Sequence, residues 1–155
     1  MILRPFVMED ATRLVSLLNE KDISKWTAHI PYPYTLEDAK TWLSSHSTSP
    51  RRALAIELDG SLAGCISYWP TDSGATEIGY WVAKPWWRQG IATQAITLLC
   101  ESYLADHHDV IATVAEQNIA SQRALMKCGF TCSGECYITR NDDALNALRF
   151  VKNKT

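Results

Sequence analysis

Two stretches of this chain concentrate residues able to do chemistry. The first is Val82-Ala83-Lys84-Pro85-Trp86-Trp87-Arg88-Gln89-Gly90-Ile91-Ala92-Thr93. It reads as a strand end, a short loop and a helix start. The first amides of a helix have no partner within it and sit at the positive end of its dipole, so such a turn binds anions. Gly90 permits close approach of a ligand, Ala92 and Thr93 are small enough for a diphosphate to rest on the first turn, and Arg88 adds charge from the loop. Tight packing alone also explains a glycine followed by small residues. The second stretch runs from Asn118-Ile119-Ala120-Ser121 to Lys127-Cys128-Gly129-Phe130. Here Asn118 suits an N-cap, Ser121 the first turn, Gly129 the position after the helix and Phe130 the core. It follows the first stretch by one strand, which puts Asn118 and Ser121 at the same end of a sheet as the anion loop, where ligands of open α/β sheets bind.

Cys128, Cys132 and Cys136 are evenly spaced and His107-His108 lies upstream, so metal binding has to be weighed. The C-x-x-C pairing of structural zinc is absent, and no metal is expected. Five cysteines, an odd number without a secretory signal, favour free thiols in a reducing compartment.

These residues need a frame. A strand over 2–7 and an amphipathic helix over Glu9–Asn19 open the chain, with Ala11, Leu14, Val15 and Leu18 on one face. Ile30-Pro31-Tyr32-Pro33-Tyr34 is an extended aromatic loop, because its two prolines exclude a regular helix. Thr35 caps a second helix, with Asp38 completing a capping box and Ala39, Trp42 and Leu43 facing inward. Ala53–Leu58 and Leu62–Trp69 form an antiparallel hairpin around Asp59-Gly60. Then come a strand at 76–82, a helix at 90–104 with Ile91, Ala95, Leu98 and Leu99 apolar, a strand at 110–115, a helix at 120–127, a strand from Phe130 and a last strand over 144–151. The expected fold is α/β, a single domain over 1–155 with a mixed, largely antiparallel sheet flanked by helices.

Composition limits the function. At 155 residues the chain fits one ordinary domain, and 46% hydrophobic with 21% charged residues argues for a packed fold. A net charge of −2 with scattered basic residues removes the footprint of nucleic-acid binding. The start is not a signal peptide, and no stretch approaches the roughly 20 apolar residues of a membrane span, so a cytoplasmic location is expected.

The motifs Glu-Ile-Gly-Tyr-Trp-Val (77–82), Trp-Trp-Arg-Gln-Gly-Ile-Ala-Thr-Gln-Ala (86–95) and Asn-x-Ala-Ser-x-x-x-Leu-x-Lys-x-Gly-Phe (118–130) together resemble the GNAT superfamily of acetyltransferases. The opening Leu-Arg-Pro-Phe and the Ile-Pro-Tyr-Pro-Tyr-Thr-Leu-Glu-Asp-Ala run resemble its RimJ/RimL-like subgroup, so the likeness spans nearly the whole chain. One departure stands out. Trp87 occupies a position that often holds Gln or Arg, and Arg88 one where glycine is common.

The resemblance implies an enzyme that moves an acetyl group from acetyl-CoA to a primary amine, with the cosubstrate in a splayed gap between the parallel strands ending near Val82 and Ala115. Its pantetheine amides would pair with the backbone of Trp81 and Val82. Its pyrophosphate would rest on Arg88, Gln89, Gly90, Ile91, Ala92 and Thr93, and Asn118 would touch the pantetheine arm. Glu77 is the candidate base, since the amine must attack unprotonated; an ordinary strand glutamate is the alternative. Ser121 is the candidate donor to the departing thiolate, against a plain capping role, and Tyr137 is an alternative acid. The Val82 N–H would meet the developing oxyanion. Lys127 would reach the adenosine phosphates or merely complement the helix dipole.

Trp26, His29, Tyr32, Pro33 and Tyr34 would shape the acceptor pocket, with His29 a possible second base; a satellite hydrophobic cluster is the competing reading. Trp69, Trp86 and Trp87 are open between core, cofactor cover and dimer contact. Three functions stay in view: acetylation of a protein N-terminus, which the subgroup resemblance favours, acetylation of a small amine such as a polyamine, amino acid or drug, and a silent acyl-CoA-binding module. Glu9, Asp10, Glu20 and Asp22 would favour a basic acceptor. A monomer or homodimer is expected, without nucleic-acid or membrane partners.

Overall fold

In β2 (Arg52–Leu58) and β3 (Ser61–Pro70), successive apolar side chains leave opposite faces of the sheet, so the chain builds two cores at once. In the computed structural model, which describes residues 1–27, 30–107, 109–140 and 143–153, Ile56, Ile66 and Ile78 join one cluster, and Ala55, Leu62 and Cys65 the other. The first is closed by helices α4 (Ile91–Ser102) and α5 (Ile119–Lys127) through Ile96, Leu99 and Leu125. The second is closed by α1 (Ala11–Leu18) and α3 (Leu36–Ser45) through Leu14, Leu18, Ala39 and Leu43. A single turn, α2 (Lys21–Ser24), leads out of α1.

The remaining strands are β1 (Ile2–Arg4), β4 (Thr76–Val82), β5 (Val110–Ala115), β6 (Thr131–Arg140) and β7 (Asp143–Lys152). All seven form one sheet in the order β1-β2-β3-β4-β5-β7-β6. Every neighbouring pair is antiparallel except β4 with β5. That parallel pair has the helix α4 as its crossover, as parallel strands require.

Local signals account for most boundaries. Asp59 and Gly60 take φ of 49° and 80°, the left-handed pair of a two-residue hairpin turn. Thr35 and Asp38 exchange 3.0 Å bonds as a complete capping box. Gly129, at φ 90°, stops α5 as expected, with the Phe130 N–H closing on the Leu125 carbonyl at 3.1 Å. The opening strand is shorter than its pattern predicts, because Pro5 follows Arg4 and has no N–H for the ladder. The α1 pattern is likewise split, a 3-10 turn at Met8–Asp10 preceding the helix proper.

Candidate functional site

The parallel register of β4 and β5 runs Thr76 to Val110, Glu77 to Ile111 and Ile78 to Ala112, and goes no further. Beyond Ile78 the two strands part. The Thr76 N–H bonds the Asp109 carbonyl at 2.9 Å, and the Ala83 N–H bonds the Ala63 carbonyl at 2.7 Å. Peptide groups alternate sides along a strand, so those of Tyr80 and Val82 face the gap while those of Gly79 and Trp81 face β3. The expected backbone pairing at Trp81 is therefore corrected. Its peptide groups belong to the β3 ladder, opposite Cys65, and Tyr80 offers the strand edge instead.

The gap opens into a cavity of about 1380 Å³ whose wall includes Trp81, Val82, Arg88, Gly90, Ala92 and Thr93. Ile91, Asn118, Ser121 and Glu77 complete that wall from the candidate set. A 3-10 turn at Lys84–Trp86, with Pro85 inside it, leads from β4 to α4. The first bond of the α4 ladder is from Gln94 N–H to Gly90 carbonyl, 3.1 Å, so the amides of Ile91, Ala92 and Thr93 precede it. Gly90 caps the helix at φ 73°, and a Cβ there would meet no protein atom within 4 Å, since it would project into open space before the helix. Arg88 also has a positive φ, 64°, which supplies the physical reason that glycine suits this position. Gln89 stands outside the cavity wall; its side-chain amide donates to the Pro85 carbonyl at 3.1 Å and braces the loop.

Trp87 takes a specific place. Its indole N–H donates to the Val82 carbonyl at 2.6 Å, tying the anion loop to the strand edge beside the gap. Basic side chains continue along α5, where Arg123 and Lys127 line the same cavity. Arg123 is absent from the sequence reading, although its place one turn before Lys127 puts the two on one helix face.

Asn118 caps α5, its side-chain oxygen accepting from the Ser121 N–H at 3.3 Å. The Ser121 hydroxyl is engaged elsewhere. It lies 2.5 Å from the Tyr80 hydroxyl, and that hydroxyl also lies 3.3 Å from the Ser121 carbonyl. Burial pushes the Tyr80 phenol up to about 12, an effect the Ser121 bond opposes. Tyr80 escaped sequence reasoning because a strand tyrosine carries no local sign of a partner 41 residues away. Tyr137 also reaches the cavity, from β6, but is 74% exposed.

Glu77 leaves the other face of the sheet. Burial raises its carboxyl above the usual range, against the pull of Arg149, Arg51 and a hydrogen bond from Thr113. Trp69 pairs with Glu77 across β3 and β4, and Arg149 with Thr113 across β7 and β5, so the ladder itself gathers this group. Arg51 completes it, the guanidinium carbon 3.8 Å from the Trp69 ring centroid.

The aromatic segment divides. Trp26 and Tyr34 line the cavity, whereas Tyr32, 44% exposed, and Pro33 do not. Tyr34 is anchored by Asn19, whose side-chain amide both accepts from its N–H and donates to its carbonyl at 2.7 Å. His29 and His108 lie outside the described residues. The acids expected to attract a basic acceptor are engaged away from the cavity. Asp10 meets Arg4 at 2.9 Å, Glu20 and Asp22 meet Lys84 at 3.4 and 2.8 Å, and Glu9 is on the surface. Among the described residues no group of three His, Cys, Asp or Glu is placed to hold a metal, and no helix is long and apolar enough to cross a membrane.

The family model described as "Acetyltransferase (GNAT) domain" matches residues 1–131. No curated protein matches the sequence. Among solved structures, the microcin C7 self-immunity acetyltransferase MccE, in complex with acetyl-CoA and AMP, superposes with TM-score 0.88 at 20% identity, over 98% of this chain and 91% of that one. Mycobacterium smegmatis RimJ, with a CoA disulfide, gives 0.84 at 23%, over 97% and 80%. The aminoglycoside-related AAC(6')-Ib, with ribostamycin and coenzyme A, gives 0.81 at 21%, over 98% and 92%.

Proposed function

This chain belongs to the GNAT acetyltransferase family, and from that membership we propose that it transfers an acetyl group from acetyl-CoA to a primary amine at the gap between β4 and β5. The observation that carries the reading is the parting of these strands after Ile78, with the gap ending on the amides of Ile91, Ala92 and Thr93. The donor set fits a nucleotide thioester. Unpaired amides and Arg88, Arg123 and Lys127 suit phosphates, and the peptide groups of Tyr80 and Val82 suit an amide-bearing arm. Acetyl-CoA, when bound, supplies an activated carbonyl.

The chain's own residues supply the rest. Glu77, its carboxyl held up by burial, takes the proton of the acceptor's ammonium, directly or through water. The Tyr80 N–H, the gap-facing amide nearer Glu77, donates to the oxygen on which charge develops, whereas Val82, beside the phosphate cradle, meets the cofactor arm. The Val82 carbonyl accepts from the Trp87 indole, which fixes the strand edge and leaves the Val82 amide for that arm. Ser121 hands a proton to the departing thiolate and takes up the second proton that the attacking nitrogen sheds, while the Tyr80 hydroxyl, 2.5 Å away, holds the Ser121 hydroxyl in place. Asn118 holds the Ser121 backbone in place. The acceptor enters on the α1 and α3 side, past Trp26, Tyr34 and Trp69.

For the acceptor, a protein N-terminal α-amine, as in RimJ/RimL-like members, is the first reading, on the motif resemblance. A small amine is the second, favoured by the aromatic wall around Glu77. The test is amine-dependent thiol release from acetyl-CoA over short peptides and small amines, with thermal shift against coenzyme A. Release with at least one amine is expected. The absence of both release and a shift at millimolar coenzyme A would overturn the reading, and a shift without release would leave the silent binding module.

A further inference from the structure

We infer that the acceptor amine belongs to a molecule that also carries an oxyanion, a carboxylate or phosphate, held by Arg51 and Arg149 on either side of Glu77. The inference deepens the acetyl-transfer reading, since it names the chemistry of what enters the acceptor half of the cavity.

Three observations carry it. First, Arg51 and Arg149 both line the cavity and both act on the charge of Glu77. They come from opposite directions, Arg51 from the residue before β2 and Arg149 from β7, with Glu77 of β4 between those strands in the sheet order. Among the described residues, the charged groups that act on Glu77 are these two guanidiniums. A base serving a polycationic acceptor would gain from the reverse arrangement.

Second, Arg51 is held in a defined pose, stacked face-on against Trp69 with 3.8 Å to the ring centroid, although burial disfavours its charge. A guanidinium stacked this way directs its N–H donors into its own plane, the fork that matches carboxylate or phosphate oxygens. Third, these arginines stand apart from the phosphate cradle. Glu77 and Val82 are separated by five residues of extended strand, about 16 Å at a rise of about 3.3 Å per residue, and the cradle lies beyond Val82. An anion at Arg51 and Arg149 is therefore a different anion from the pyrophosphate.

The placement of the acids agrees. Asp10, Glu20 and Asp22 are paired with Arg4 and Lys84 outside the cavity. Of the cavity acids on α3, Glu37 and Asp38, the latter is committed to the capping box, and Lys25, just after α2, also lines the cavity. An oxyanion bound at the arginines would leave the amine of the same molecule beside Glu77, which can accept its proton.

The test uses the intact protein and matched pairs of acceptors: aspartate against its diamide, phosphoethanolamine against ethanolamine, and a peptide beginning Ala-Asp against one beginning Ala-Asn, with spermine as the polycation. Binding is followed by thermal shift and transfer by thiol release. In at least one pair the acid member is expected to bind at least tenfold more tightly than its neutral partner, the size of a charge-assisted bond. The pair that responds identifies the source as carboxylate, phosphate or acidic N-terminus. Arg149→Gln, on an exposed side chain, and Arg51→Gln should each shrink that ratio to about threefold or less. Equal binding within every pair, or tightest binding of spermine, would overturn the inference. Acid-selective binding without thiol release would uphold it and count against the transfer reaction instead.

Discussion

Arg88 is the position where conformation and chemistry pull apart, and replacing it tests both. Its φ of 64° lies in the left-handed region, which costs a residue with a Cβ about 1–2 kcal/mol. Arg88→Gly removes that cost and returns about 0.4–1 kcal/mol through the greater freedom of the unfolded chain. The net is a stabilisation of about 0.5–1 kcal/mol, and at about 2–4 °C per kcal/mol for a chain of this size, Tm rises by about 1–4 °C. The same change deletes a cation at the anion loop. Because Arg88 is exposed, its pairing with a phosphate is worth about 1 kcal/mol, a roughly fivefold rise in the Kd for coenzyme A. Arg88→Ala separates the two effects: it loses the same affinity yet keeps a Cβ in the left-handed backbone, so its Tm should not rise. Differential scanning calorimetry of the free variants and titration calorimetry with coenzyme A measure both quantities. A Tm for Arg88→Gly at or below that of the parent would refute the backbone argument. Unchanged affinity in both variants would remove Arg88 from the phosphate site.

Two further substitutions test the geometry. As the proposed base, Glu77 can work only when ionised, and burial, its largest influence, raises its pKa. So kcat/KM should climb with pH through a limb above the ordinary carboxylate range, and Glu77→Gln should lose that limb while keeping the one due to the acceptor's own amine. Because the folded-state value is raised, ionisation weakens the fold. The Tm of Glu77→Gln should therefore exceed that of the parent increasingly as pH rises past the ordinary range, then level off above the raised value; a parallel pair of Tm profiles would contradict the burial of this carboxyl. At Gly64, an added Cβ would collide with the Trp81 carbonyl oxygen, a backbone atom that cannot swing away. Gly64→Ala should cost about 3 kcal/mol, near the top of the range for overpacking, and weaken coenzyme A binding because β4 must shift; denaturant melts and titration calorimetry would expose an unaffected variant.

Most of the frame was legible because its signals are local. The Asp59-Gly60 turn, the Thr35 and Asp38 cap and the stop at Gly129 each operate within six residues, and the strand at 110–115 is bounded as its pattern predicts. The loop between β4 and α4 and the helix start after it were legible for the same reason, being one continuous run from Val82 to Thr93. What escaped depends on register. Arg51, Trp69, Thr113 and Arg149 meet Glu77 only because four strands align, and no spacing within any one strand announces it. Alternation offered a partial clue: once β4 is placed, residues on the face of Glu77 in neighbouring strands are the ones to inspect. Backbone direction was misjudged at Trp81 because an N–H points to one edge or the other according to parity, which only the pairing with β3 settles. The aromatic run at 30–34 was legible as a loop, but which of its rings turn inward depends on anchorage by Asn19, eleven residues before the run begins.

The opening between β4 and β5 passes through the sheet, with Ser121 and Tyr80 on one side and Glu77 with its arginines on the other. Two guests reaching it from opposite directions touch separate sets of side chains. If the acceptor enters beside Trp69 and Arg51 as proposed, substitutions there need not disturb the loop before α4, so selection could exchange one clientele for another while the donor side stays as it was.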